Sequence, residues 1–178
     1  MPTPVAASAP PDPELERLPS WLTRLGDAIL TTDSRQRRTL SLLLLAEMDG
    51  VHALTDVTGF GLLGHLLELA RGAQLEARLD MDAIPLLPGV LQLAHDGYFT
   101  GASSRNWDAY GQDVALADGI TAAQRALLTD PQTSGGLLVS CAPEAADAVL
   151  ALFAREGFGD ARVIGRMAEG GARVVVAA

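Results

Sequence analysis

Apolar residues along this chain fall into short runs whose period switches between two and roughly three and a half, and each switch marks an element boundary. Asp33 or Ser34 caps a predicted helix that runs through Leu40, Leu42, Leu43, Leu44 and Leu45 to about Asp49, with Gly50 as its stop. Its leucines point nearly all round, so this helix needs cover on several sides. Val51-His52-Ala53-Leu54 forms a short strand, and Leu62, Leu63, Leu66, Leu67, Leu69 and Ala70 then recur at helical spacing from Gly61 to about Gly72. Leu75-Glu76-Ala77-Arg78-Leu79 alternates strictly and reads as a half-buried strand, which completes a β-α-β unit.

Further on, Leu87 to His95 makes a short helix ending at Gly97, whereas Tyr98 to Asp113 has no apolar period and reads as a long functional or mobile loop. Thr121 caps a helix through Leu128. Leu137 to Cys141 is a strand, Pro143-Glu144 opens a helix through about Arg155, and Val163-Ile164 and Val174-Val175-Val176 are strands on either side of the Gly170-Gly171 turn. Upstream, Met1 to about Pro13 has almost nothing to bury and should be disordered. From Asp12 to Leu30 the residues Leu15, Leu18, Trp21, Leu22, Leu25 and Ile29 suggest a short helix broken at Pro19. The expected organisation is an N-terminal extension, 1–32, and a single α/β domain, 33–178.

Composition narrows the function classes. The chain has 178 residues, 48% of them hydrophobic, enough for one filled core. With 13 basic and 22 acidic residues the net charge is −9, and no basic cluster exists to bind a nucleic-acid backbone. Every basic residue is arginine, which excludes a P-loop lysine, a Schiff-base lysine and a lysine general acid. The one cysteine, Cys141, excludes an internal disulfide and suits a reducing compartment. There is no secretory signal pattern and no apolar run of the ~20 residues a membrane span needs, so a soluble, cytoplasmic protein with no membrane partner is expected.

Candidate chemistry gathers in Thr55-Asp56-Val57-Thr58-Gly59-Phe60-Gly61-Leu62-Leu63-Gly64-His65-Leu66, a strand-to-helix turn. Its glycines allow close backbone approach, the first helical turn offers free N–H groups to an anion, and Asp56 and Thr58 add oxygens. A carboxylate beside a phosphate requires a cation between them, so the stretch reads as half of a metal-phosphate site with Asp56 as ligand to a hard cation such as Mg²⁺. Two other readings compete. Gly59-x-Gly61-x-x-Gly64 also fits a dinucleotide-binding fingerprint, with Asp80 as the ribose acid, although Asp56 would then repel the pyrophosphate. Alternatively the glycines serve only close packing, with Asp56 and Thr58 as caps.

A second polar loop, Asp130-Pro131-Gln132-Thr133-Ser134-Gly135-Gly136, precedes a buried strand and is either an Asp-Pro turn or the second wall of the same cleft. Arg105 and Asn106 add a guanidinium and an amide suited to phosphate oxygens, or to a solvated loop. His65 is expected to be structural, His52 and His95 lack companions at metal-ligand spacing, and Cys141 reads as a core residue.

The run Thr55 to His65 resembles a signature of selenophosphate synthetase (selenide, water dikinase), and Thr129-Asp130-Pro131-Gln132-Thr133-Ser134-Gly135-Gly136-Leu137-Leu138 resembles that family's second signature. Ile84 to Gly89 and Gly101 to Asn106 are also similar to family segments, and the resemblance spans residues 47 to 177, the family's C-terminal domain; upstream, Leu25 to Leu30 faintly resembles the family's entry strand, without the segment that normally follows it. It implies a three-layer α/β/α domain with a mixed sheet, of the aminoimidazole ribonucleotide synthetase C-terminal type. It further implies conversion of ATP, selenide and water to selenophosphate, AMP and phosphate, with Mg²⁺ at the phosphates and ATP held mostly by an N-terminal domain. By position Asp56 carries over as the metal ligand, and Thr58, Gly59, Gly61, Asn106, Asp130, Thr133, Ser134 and Gly135 as cofactor-binding cleft lining. No catalytic residue carries over, because the family's reactive cysteine or selenocysteine and its lysine belong to the N-terminal domain. The expected partners are ATP, selenide, and a separate N-terminal half or a second copy covering the leucine-rich helix, with the broken helix around Trp21 folding over part of it as the competing cover. A non-catalytic phosphate- or partner-binding domain is the alternative, and a dinucleotide-dependent oxidoreductase a more distant one.

Overall fold

The computed structural model describes the backbone of residues 27–30 and the whole of residues 44–133 and 135–178. The expected disordered start, most of the broken helix and the leucine helix before Leu44 lie outside the described residues. Seven strands, β1 (Asp27–Leu30), β2 (Val51–Asp56), β3 (Glu76–Asp80), β4 (Val114–Leu116), β5 (Leu137–Cys141), β6 (Arg162–Ala168) and β7 (Arg173–Ala177), form one sheet in the order β2-β5-β1-β6-β3-β7-β4. The pairs β3–β7 and β7–β4 are parallel and the rest antiparallel, so the sheet is mixed, as expected.

Alternation along β5 shows why the sheet is covered on both faces. Leu137, Val139 and Cys141 point into a core with Leu45, Val149, Leu152, Phe153 and Phe158, while Leu138 points the other way, to Leu63, Leu66 and Leu67. The first core is closed by helix α5 (Ala146–Arg155) and the second by α1 (Gly61–Ala73), giving the three layers. On the α1 side, α2 (Val90–His95), α3 (Gly101–Tyr110) and α1 all pack against α4 (Ala122–Thr129). Leu45, the end of the leucine run, is fully buried with Leu44 against it, so at this end the domain itself supplies the cover.

Several expectations are corrected. Asp27–Leu30 is a strand between β5 and β6, in keeping with the faint resemblance of Leu25 to Leu30 to the family's entry strand and not with the end of a helix; it lies upstream of the expected border at 33. β2 and β3 run the same way but are separated by β5, β1 and β6, so β2-α1-β3 is not a pair of adjacent strands with a crossover. That separation, together with Asp80 accepting from the Asp82 amide at 3.0 Å to cap its own 3-10 turn, removes the dinucleotide reading. The predicted loop 98–113 contains α3 and a 3-10 turn at Gly111–Asp113, which leads directly into β4. Only Ser103 and Tyr110 of α3 are buried, so an apolar period had no means of revealing it; hydrogen bonds hold it instead. The helix expected from Leu87 starts after Pro88 and Gly89, whose φ of 80° no helix accepts. Thr121 and Gln124 form the full capping box of α4.

One charge cluster ties β3 to β7. Glu76, 3% exposed, accepts from Arg78 Nε at 2.7 Å and from Arg173 Nε at 2.7 Å. The Arg78 hydrogen bond first, then that of Arg173, holds its carboxyl below the usual value of 4.5, against the opposite pull of burial. A lowered folded pKa stabilises fully above pH 4.5 and loses that contribution as pH falls through the folded value. Thermal melts of Glu76→Gln are therefore expected to lie below wild type at neutral pH and to converge on it in acid. Parallel curves across the whole range would show that Glu76 carries no such linkage.

Candidate functional site

The two glycine-rich turns meet at one end of the sheet. Asp56 pairs with Leu137 at the last rung between β2 and β5, and the pairing runs on past the strands: Val57 N donates to Gly136 O at 2.9 Å and Gln132 N to Thr58 O at 3.0 Å. Glycine is required where the turns touch. A Cβ on Gly135 would stand 2.0 Å from Val57 O, and one on Gly61, whose φ is +68°, would stand 2.6 Å from the Thr129 carbonyl carbon. A Cβ on Gly64 would meet Phe60 Cβ at 2.5 Å and the Tyr110 ring at 3.1 Å, while around Gly59 there is open space. Close packing thus accounts for Gly61 and Gly64, and Gly59 alone of the three leaves room for an incoming group.

The first turn of α1, Gly61 to Gly64, is buried, and Gly61 N donates to Thr58 O at 3.1 Å. Thr58 Oγ1 lies 3.1 Å from His65 Nε2, and His65 Nδ1, 3.3 Å from a Glu68 carboxylate oxygen, is buried without a hydrogen bond, so the ring is not the fully satisfied structural histidine expected. Asp56, Gly59 and Thr133 are exposed, and Ser134 lies outside the described residues.

Helix α3 touches both turns. Asn106 Nδ2 donates to Gly59 O and to Thr129 O, each at 2.9 Å, so its amide holds backbone carbonyls of the two signatures together. Tyr110 Oη donates to Phe60 O at 2.6 Å, and burial, opposed by a hydrogen bond from the Gly64 backbone, pushes its pKa up to about 12. Asp130 Oδ1 accepts from Thr100 N at 3.0 Å and Thr100 Oγ1 at 2.6 Å, and Ser103 Oγ lies 2.7 Å from Thr129 Oγ1. Thr100, Ser103 and Tyr110 were not singled out from the sequence. Asn106 and Tyr110 stand four apart, the spacing of one helix face, a signal readable only once 101–110 is known to be helical.

A cavity of about 790 Å³ lies beside the second turn between Leu62, Ile84, Leu87 and Asp160. Asp130, Thr133 and Gly135 border it; Asp56, Thr58 and Gly59 do not. Among the described residues no three of His, Cys, Asp and Glu come together as a metal-binding group, and no helix is long and apolar enough to cross a membrane.

A mixed sheet layered between helices, with two glycine-rich turns zipped at one end, is an architecture with known relatives. The fold matches Escherichia coli HypE, a hydrogenase maturation protein, with a TM-score of 0.56 and 18% identity over 86% of this chain and 46% of that one. It also matches Thermotoga maritima PurL complexed with ATP, with a TM-score of 0.54 and 13% identity over 82% of this chain and 22% of that one. The chain belongs to the family described as AIR synthase related protein, C-terminal domain, which its residues 21–177 match. Within that family it is similar to selenide, water dikinases: 67% identical over 133 residues to that of Burkholderia orbicola (75% of this chain, 38% of the relative), and 65% over 132 residues to that of Pseudomonas straminea (74% and 37%). The chain therefore spans somewhat over a third of the length of these curated relatives.

Proposed function

We propose that this chain acts as the C-terminal domain of a selenide, water dikinase and supplies one wall of a site for Mg²⁺ and the phosphates of ATP. The observation that supports this most is the zipper between the two signature turns, Val57 to Gly136 and Thr58 to Gln132, on a chain 67% identical to such an enzyme. The turns leave Asp56 exposed at the sheet end, where its carboxylate can ligate a hard cation, with Gly59 open beside it. Thr58 and Thr133 are the hydroxyls of this wall, and Gly61 and Gly135 allow the close approach of the turns. A cation here draws its other oxygens from water, from phosphates or from a partner domain, since Mg²⁺ is normally held by one or two carboxylates plus substrate phosphates.

Such a site is weak on its own. Titration of the chain with Mg²⁺ in a calorimeter is expected to show binding no tighter than the order of millimolar, strengthened by ATP and lost in Asp56→Asn. A micromolar site that survives Asp56→Asn would contradict the assignment.

A further inference from the structure

We infer that α3 is the positioning element of this site: Asn106 and Tyr110 set the separation of the two signature turns, and Asp130 acts as the latch that holds the start of α3 to the second turn rather than as a ligand. The consequence for a bound cation rests on the function proposed above; the coupling of the turns does not.

The chemistry of Asn106 fits the task. A side-chain amide nitrogen carries two hydrogens, and here its two acceptors are backbone carbonyls from opposite turns, Gly59 and Thr129, both at 2.9 Å. No other amino acid of that length offers two N–H donors from one atom, so an isosteric change to aspartate replaces both donors with an acceptor facing two carbonyls. One turn of helix further, Tyr110 takes Phe60 O at 2.6 Å and fills the space above Gly64. At the other end of α3, one carboxylate oxygen of Asp130 accepts both the amide and the hydroxyl of Thr100, an arrangement that needs an acceptor but not a charge. Ser103 closes the contact by donating to Ala126 O at 3.0 Å beside Thr129. α3 therefore grips the first turn at Gly59 and Phe60 and the second at Thr129 and Asp130. A shift of α3 moves the two together or pulls them apart.

Amide hydrogen exchange on the ¹⁵N-labelled chain, read with Mn²⁺ line broadening, tests this. In Asn106→Asp the amides of Val57 and Gln132, which bridge the turns, are expected to lose protection about tenfold more than those of β3. A residue that stabilises only the fold as a whole would lower all of them by one factor, and that result, or unchanged protection at Val57 and Gln132, overturns the inference. Tyr110→Phe, which removes one donor and keeps the ring, gives the same comparison at Gly61 if Asn106→Asp does not fold. Asp130→Asn should keep the wild-type exchange of Thr100 while Asp130→Ala speeds it; if the asparagine variant behaves like alanine, the charge matters and the latch is wrong. In wild type Mn²⁺ is expected to broaden both turns, and in Asn106→Asp only the turn of Asp56; broadening of both turns in that variant overturns the inference. No broadening at Asp56 in wild type would count against the proposed metal wall, while the exchange rates would still decide the role of α3.

Discussion

Replacing Gly61 by alanine is expected to destabilise this domain by about 3 kcal/mol or more, whereas Gly59→Ala, two residues away, stays within about 0.5 kcal/mol of wild type. Two separate penalties fall on Gly61. Its φ of +68° costs a residue with a Cβ about 1–2 kcal/mol, and that Cβ would lie 2.6 to 2.8 Å from the Thr129 and Leu128 backbone, which has no flexible end to swing aside. Gly59 meets neither problem, having nothing within 4 Å of its virtual Cβ. At about 2–8 °C per kcal/mol the melting temperature should fall by roughly 10 °C for Gly61→Ala. Equal melting temperatures for the two variants would mean that the turns are not packed as described.

The second large effect is on chemistry. Supplied with ATP, selenide and Mg²⁺, the isolated chain is expected to release no AMP and orthophosphate above background. It contains no lysine to meet a transferring phosphate, and its only cysteine, Cys141, is fully buried in β5. The first turn of α1 is buried beneath the end of α4, so it does not present a free array of N–H groups to ATP. Selenide-dependent release of AMP by the purified chain would contradict this.

Much of the architecture was legible because its elements carry one clean period. The leucines of α1, the alternation of β3, the buried run of β5 and the Thr121 capping box all state their structure locally. What was missed lacks such a signal. α3 is polar on most of its surface and exists through bonds to residues 20 to 50 positions away, such as Tyr110 to Phe60 and Asn106 to Thr129. β1 owes its place to two neighbours far along the chain, which local spacing does not encode, so only the faint resemblance of Leu25 to Leu30 to a family strand pointed to it. At the site, the residue types of the two turns pointed to their meeting, but their glycines read equally as ligand contact or as packing. Only the position of Thr129 against Gly61 and of Tyr110 against Gly64 assigns those two to packing. Asp130 and Asn106 likewise read as ligand groups by type, and their hydrogen bonds to Thr100, Gly59 and Thr129 join residues too far apart in the chain for local spacing to show.

The central claim, that this chain forms the C-terminal wall of a selenide, water dikinase site with Asp56 toward the metal, is tested most directly by exchange. The 133 residues of the Burkholderia orbicola enzyme that match this chain are replaced by their counterparts from it, and selenide-dependent formation of AMP is measured for the chimera and for its Asp56→Asn variant. The chimera is expected to keep activity within about tenfold of the parent, and Asp56→Asn to lose at least about a hundredfold, the several kcal/mol of transition-state stabilisation that a displaced metal ion removes. A folded but inactive chimera, or an Asp56→Asn variant as active as the chimera itself, would contradict the account.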